Sequence, residues 1–190
     1  MKAIKFLSLG LLTAGSLIFT SCNNDDDKRP EHVEDHEEIS QVEVTVTPAN
    51  GEAAKYVFND DEKEGQKITL KEGVNYTFEV TALNSKHEDH YHNEIGEISE
   101  EKEAHFFVYQ TDLTDYTFVR QDGPETTRED KTKLGLKVSL QVDKTQTGKY
   151  LSFELKHQPA SVDPAANNGL GSAKGGATDI SAKFPVEVAK

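Results

Sequence analysis

Tryptophan is absent from this sequence, and cysteine occurs once, at Cys22. A single cysteine can form no internal disulfide, and it rules out a structural zinc centre built from paired cysteines. No apolar run is long enough for a membrane helix, which needs about 20 residues. The candidate, Ile4 to Phe19, is broken by Ser8, Gly10, Thr13, Gly15 and Ser16. Basic residues are scarce: 21 Lys and Arg stand against 34 Asp and Glu, a formal charge of −13. So acidic a chain repels nucleic acid, which is therefore excluded as a partner. It also opposes adhesion to anionic lipid and favours cations. No serine lies in a nucleophile elbow. Gly169-Leu170-Gly171 and Gly175-Gly176 do not open a helix after a strand, as a phosphate loop would require. No internal repeat is visible. These gaps lead to the expectation that the protein is not an enzyme.

What is present starts with an export signal. Lys2 and Lys5 form a short basic start, the interrupted apolar run follows, and small residues precede Cys22. Ile18-Phe19-Thr20-Ser21-Cys22 resembles the lipobox of bacterial lipoproteins, with Phe19 in the place of the commoner leucine. The resemblance implies cleavage before Cys22, lipidation of Cys22 with palmitate-type acyl chains, and attachment to a membrane through that N-terminal lipid. Each buried methylene contributes about 0.8 kcal/mol to such an anchor. Lipidation also removes a free exported thiol that would pair between molecules. Asn23-Asn24-Asp25-Asp26-Asp27 is similar to the surface-export signal of Bacteroidota lipoproteins. It implies a place on the outer membrane, facing the cell exterior.

Cleavage after residue 21 would leave 169 residues and shift the formal charge to −15, because residues 1–21 carry two lysines and no acid. That length suits one domain with a real core. The expected organisation is a signal peptide over 1–21, an acidic flexible tether over 22–40 and a β-sandwich domain over 41–189. The tether reads KRPEHVEDHEEIS from Lys28 to Ser40, charged and poor in large apolar residues, with His32 and His36 at i, i+4 spacing.

From Gln41 the apolar residues alternate with period two, the pattern of half-buried strands. Val42, Val44 and Val46 share one face, as do Tyr76, Phe78 and Val80 on a strand from about Asn75 to Leu83. Asn84 to Ala104 is polar and breaks the pattern, and its second half favours a short helix over residues 97–104. His105-Phe106-Phe107-Val108-Tyr109 reads as a fully buried strand. Leu134 through Val142 alternates, as do Leu151, Phe153 and Leu155, with His157 continuing their parity. Ile180, Ala182, Phe184, Val186 and Val188 form a last strand. Pro185 lies off that face and predicts an edge position. Turn signals recur throughout, at Pro48-Ala49-Asn50-Gly51, Glu72-Gly73, Asp122-Gly123-Pro124 and Gln146-Thr147-Gly148. The expected fold is all-β: an antiparallel two-sheet sandwich, immunoglobulin-like in the broad sense, of about 7–9 strands with one short helix.

Several segments, in their order, resemble a family of Bacteroidota surface lipoproteins of poorly defined role. They are His36-Glu37-Glu38-Ile39, Val42-Glu43-Val44-Thr45-Val46-Thr47-Pro48 and Glu103-Ala104-His105-Phe106-Phe107-Val108-Tyr109. Then come Leu155-Lys156-His157-Gln158-Pro159 and Gly175-Gly176-Ala177-Thr178-Asp179-Ile180, leading into Phe184-Pro185-Val186. The resemblance implies a β-sandwich on a lipid tether, working beside an outer-membrane uptake system and its receptor. It implies no catalytic residues.

The chemistry most visible in the sequence is histidine. All seven histidines lie in or beside acidic or loop segments, and neutral imidazole is a ligand for zinc, copper and nickel. In His87-Glu88-Asp89-His90-Tyr91-His92 an extended chain aligns His90 with His92, whereas a helical turn aligns His87 with His90. His105 starts one strand and His157 ends another, so the two could meet at one rim of the sandwich. With His36 folded over, they would make a three-histidine site with an open position. The candidate metal ligands are therefore His87, His90, His92, His105 and His157, and the expected cofactor is zinc or another divalent transition metal. Asn59-Asp60-Asp61-Glu62 lacks the alternating ligands and central glycine of a calcium loop and reads as a solvated turn. The functional expectation is a lipid-anchored surface protein that binds a ligand, such as a transition metal, for an uptake system. The alternative is a structural or adhesive surface module that contacts a protein partner without metal.

Overall fold

The structure is a computed structural model that describes residues 38–87 and 90–190. The expected signal peptide, Cys22, His32, His36 and the tether up to residue 37 lie outside the described residues. Among the described residues the elements are β1 (Ile39–Pro48), β2 (Ala54–Asn59), β3 (Ile68–Lys71), β4 (Asn75–His87), β5 (His90–Asn93), α1 (Ile95–Glu100), β6 (His105–Thr111) and β7 (Tyr116–Arg120). They continue with β8 (Lys137–Val142), β9 (Gln146–His157), β10 (Ser161–Asp163), β11 (Ser172–Lys174) and β12 (Ala177–Ala189).

One sheet has the order β2-β1-β4-β8-β7, with β5 paired to the far end of β4. The other has the order β3-β12-β9-β6, and β10 and β11 form a separate two-stranded ribbon. Every pairing is antiparallel except β3 with β12, which is parallel. This is an all-β sandwich, as the alternation predicts. Its faces follow from the period of two: Val42, Val44 and Val46 of β1 are buried, and the residues between them are half-buried. From the second sheet Phe153, Phe184 and Phe107 point into the same core. Tyr109 of β6 meets Phe118 of β7 at 5.0 Å between ring centres, joining the two sheets. Each large apolar side chain buried in this way stabilises the fold by about 1.5–3 kcal/mol. An apolar void of about 10 Å³ between Val44, Ile68, Phe78 and Phe153 is too small for an organic ligand.

The described residues form twelve strands against the 7–9 expected, and the parallel β3–β12 pairing departs from an all-antiparallel sandwich. Three local details also differ from the sequence reading. The polar segment after Leu83 is not a break, because β4 continues to His87 and turns back as β5. The helix lies earlier, at Ile95–Glu100, because Ile98 is its one buried residue and docks it on the core. Finally, β12 is an inner strand despite Pro185, lying between β3 and β9. Lys183 turns its carbonyl away from β9, to the Gly65 N–H at 2.8 Å. Alternation turns Pro185 the same way, and β3 begins its pairing only at Val186, so the missing N–H removes no ladder bond.

One polar group lies deep in this apolar frame. Arg120, at the end of β7, is buried, and its guanidinium donates to the carbonyls of Leu134 (3.1 Å), Phe107 (2.7 Å) and Leu170 (2.8 Å). It also lies over the Phe106 ring, 4.5 Å from the centroid. Gly135 and Gly171 make room for it: a Cβ at either would lie 2.1 Å and 2.5 Å from its nitrogens, and both have positive φ (+101° and +90°). Nearby, buried Asp122 accepts the backbone N–H groups of Gly135 and Leu136 at 2.9 and 2.8 Å. Replacing Arg120 by Met keeps the length but removes three charge-assisted bonds, leaving the Leu134 and Leu170 carbonyls only the Phe107 and Tyr109 N–H groups. Hydrogen bonds to a charged group are worth about 1.5–3 kcal/mol each. R120M is expected to lose at least about 3 kcal/mol in urea unfolding, and G135A is expected to lose stability through the same site.

Candidate metal centre

His105 and His157 are directly opposite each other in the β6–β9 ladder. His105 opens β6 and His157 closes β9, so the pair sits at one rim of the second sheet. Their ring centres are 4.7 Å apart, with the planes inclined by 31°. Both residues are buried, His105 completely.

The adjacent strand β12 brings Asp179 to the pair. In the β9–β12 ladder Thr178 pairs with Lys156 and Ile180 with Leu155, which leaves Asp179 with no opposite residue. This is a β-bulge, a device that bends the strand and re-aims a side chain. Regular alternation from Ile180, Ala182 and Phe184 would put residue 179 on the outer face. The bulge instead buries the Asp179 side chain completely, with Oδ2 3.7 Å from His105 Nε2 and Oδ1 3.6 Å from His157 Nδ1. The chain reaches this position through Gly175 and Gly176, both at positive φ. A Cβ on Gly176 would lie 2.3 Å from the carbonyl oxygen of His157.

Glu101 joins the pair from the end of α1. It caps α1, its backbone N–H donating to the Glu97 carbonyl at 2.8 Å, and its side chain is exposed. One ligand atom from each of Glu101, His105 and His157 can be chosen so that all three lie within 4.8 Å of one another. The Glu101 carbonyl also lies 3.1 Å from His105 Nδ1. A carbonyl can only accept, so Nδ1 carries the hydrogen and the neutral ring keeps its lone pair on Nε2. Burial pushes the His105 pKa below its ordinary value, and the neighbouring His157 pushes in the same direction. The Glu101 carbonyl and the charges of Asp179 and Glu101 oppose them without reversing the shift. The buried Nε2 makes no hydrogen bond, and it faces a carboxylate oxygen. Two electron-rich atoms set against each other in this way repel unless a proton or a cation lies between them.

The other expected ligands lie on the first sheet. His87 and His90 are opposite residues in the β4–β5 hairpin. His90 and His92 are exposed and do not belong to the Glu101–His105–His157 group. His92 Nδ1 instead lies 3.0 Å from Oε1 of the buried Glu94, which also accepts from the Ser85 hydroxyl. Of the five histidines, then, His105 and His157 are brought together. Glu101 and Asp179 are not among the metal ligands that the sequence suggests. The i, i+4 spacing of Glu101 and His105 across a helix end could have pointed to the first. The parity of Asp179 pointed away from the core, so nothing short of the bulge reveals it. Comparison with protein-family models, curated proteins and solved structures finds no match to this chain.

The lowered pKa of His105 makes stability depend on pH. The unfolded chain takes up this proton near the ordinary value of 6.5, and the folded state only at lower pH. The contribution of His105 is therefore fully present above about pH 6.5 and is lost as the pH falls through the folded value. Urea titrations of the metal-free protein in chelator between pH 7.5 and 5 should show this decline. H105N should show a shallower one.

Proposed function

We propose that the protein is a lipid-anchored lipoprotein of the outer-membrane surface that holds a divalent transition metal alongside an outer-membrane uptake system. The observation that carries the metal reading is the Glu101–His105–His157 group, together with the buried Nε2 of His105, which makes no hydrogen bond. Two imidazoles and carboxylate with no thiol suit zinc and its first-row neighbours better than calcium or magnesium, which take oxygen ligands throughout. The backbone carbonyl that fixes the tautomer of His105 is the support that metal-bound histidines commonly have. Export and lipidation rest on the sequence from Lys2 to Asp27. A tethered, acidic protein that gathers cations at the cell surface would serve an uptake receptor by raising the local supply of the ion.

Isothermal titration of the purified, chelator-stripped protein with Zn²⁺ should give one site per chain with micromolar or tighter affinity. H105A and H157A should each weaken it more than tenfold, while the H90A/H92A double variant should bind as the wild type does. Absence of uptake by the wild type would sink the metal reading. The anchor is tested separately by metabolic labelling with a radioactive fatty acid, in which the wild-type protein should be labelled and C22A should not.

A further inference from the structure

Resting on the metal reading above, we infer that Asp179 is a direct ligand of the ion, and that the bulge in β12 exists to deliver it. The geometry gives the first reason. Separations of 3.6 and 3.7 Å from its oxygens to the two imidazole nitrogens exceed a hydrogen bond, normally about 2.7–3.2 Å. They lie close to the spacing of neighbouring ligands around a tetrahedral ion, about 3.3–3.6 Å when each bond is about 2.0–2.2 Å, with one carboxylate oxygen toward each ring. Charge gives the second. Two neutral imidazoles leave a buried divalent ion uncompensated, and burying an uncompensated charge is very costly. The carboxylates of Asp179 and Glu101 together supply the two negative charges that balance it. Backbone gives the third. Without the extra residue in β12, position 179 would face outward, and the left-handed Gly175-Gly176 turn brings the chain against the His157 carbonyl just before it.

The four groups then have different tasks. His105, His157 and Asp179 come from three adjacent strands of one sheet and form a buried, rigid face. Glu101 lies on the turn after a six-residue helix and is the exposed member. It is the side by which an ion enters and leaves. A mixed set of two nitrogens and two carboxylates favours a first-row divalent ion over copper(I), which prefers sulfur, and over calcium.

The test uses the purified full-length protein in detergent with Co²⁺ as the optical probe and Zn²⁺ as the competing ion. The wild type should give the intense visible bands of four-coordinate Co²⁺. Zn²⁺ should abolish them, and millimolar Ca²⁺ should leave them unchanged. D179N should shift or lose the bands and weaken Zn²⁺ binding at least tenfold while its circular dichroism remains that of the wild type. E101Q should keep the bands with altered intensity and release the ion faster. Unchanged bands and affinity in D179N would overturn the role of Asp179 and leave the two-histidine reading intact. Failure of the wild type to take up either ion would overturn both readings, and displacement by Ca²⁺ would overturn the assigned ion class. If D179N does not fold, the wild-type protein crystallised with Zn²⁺ decides. An anomalous peak within about 2.3 Å of an Asp179 oxygen supports the proposal, and one beyond about 3 Å overturns it.

Discussion

A buried guanidinium holds this sandwich shut along one side. Arg120 sits at the end of β7, the outer strand of one sheet, and reaches the carbonyl of Phe107 in β6, the outer strand of the other. Its remaining bonds go to the chain at Leu134 and Leu170. Those same two segments accept the N–H groups of Phe107 and Tyr109 on the side of β6 that faces away from β9. One cation thus organises the two irregular stretches that cover an otherwise open strand edge, a place where unpaired backbone invites association. Burial lowers the pKa of Arg120 from its very high ordinary value, and the neighbouring Asp122 supports the charge. The apolar layers alone would pack the sheets face to face without fixing how these edges meet.

The candidate metal centre depends on this frame. β6 is held by β9 on one side and by the Arg120-ordered segments on the other, so His105 opens a strand that is fixed along its length. The backbone carbonyl of His105 receives a further bond from Arg128 at 3.2 Å, and the Gln158 N–H reaches the Ala104 carbonyl at 2.6 Å. The histidine pair therefore has little freedom to move apart. Rigid placement on strands gives the precision that a ligand set needs, and the exposed Glu101 provides the one adjustable part.

Most of the frame can be read from the period-two pattern. Val42, Val44, Val46 and Leu151, Phe153, Leu155 announce their faces because each strand has one dry side. The meeting of His105 and His157 was also within reach, since one opens a strand and the other keeps core parity at the end of another. What the pattern cannot show is a change of period. A single inserted residue in β12 reverses the parity of Asp179, and only the ladder to β9 records it. The partners of Arg120 are equally hidden, because they are backbone carbonyls far away in sequence. The inner position of β12 was obscured for another reason. A proline normally marks an outer strand, but here its missing donor falls where the neighbouring strand has not yet begun.

The parallel pairing of β3 with β12 has a consequence for biogenesis. β12 follows every other strand of the described residues, yet it lies between β3 and β9. While the polypeptide is being synthesised, β3 has no ladder partner in its own sheet until β12 arrives, so this sheet is completed late. Long-range pairings of this kind slow folding and lengthen the exposure of unpaired strands. Asp179 arrives with the same segment. The two histidines can meet on β6 and β9 beforehand, but the carboxylate that joins them comes only with β12. Assembly of that cluster therefore waits for β12, and a nascent chain that has not reached β12 does not yet possess it.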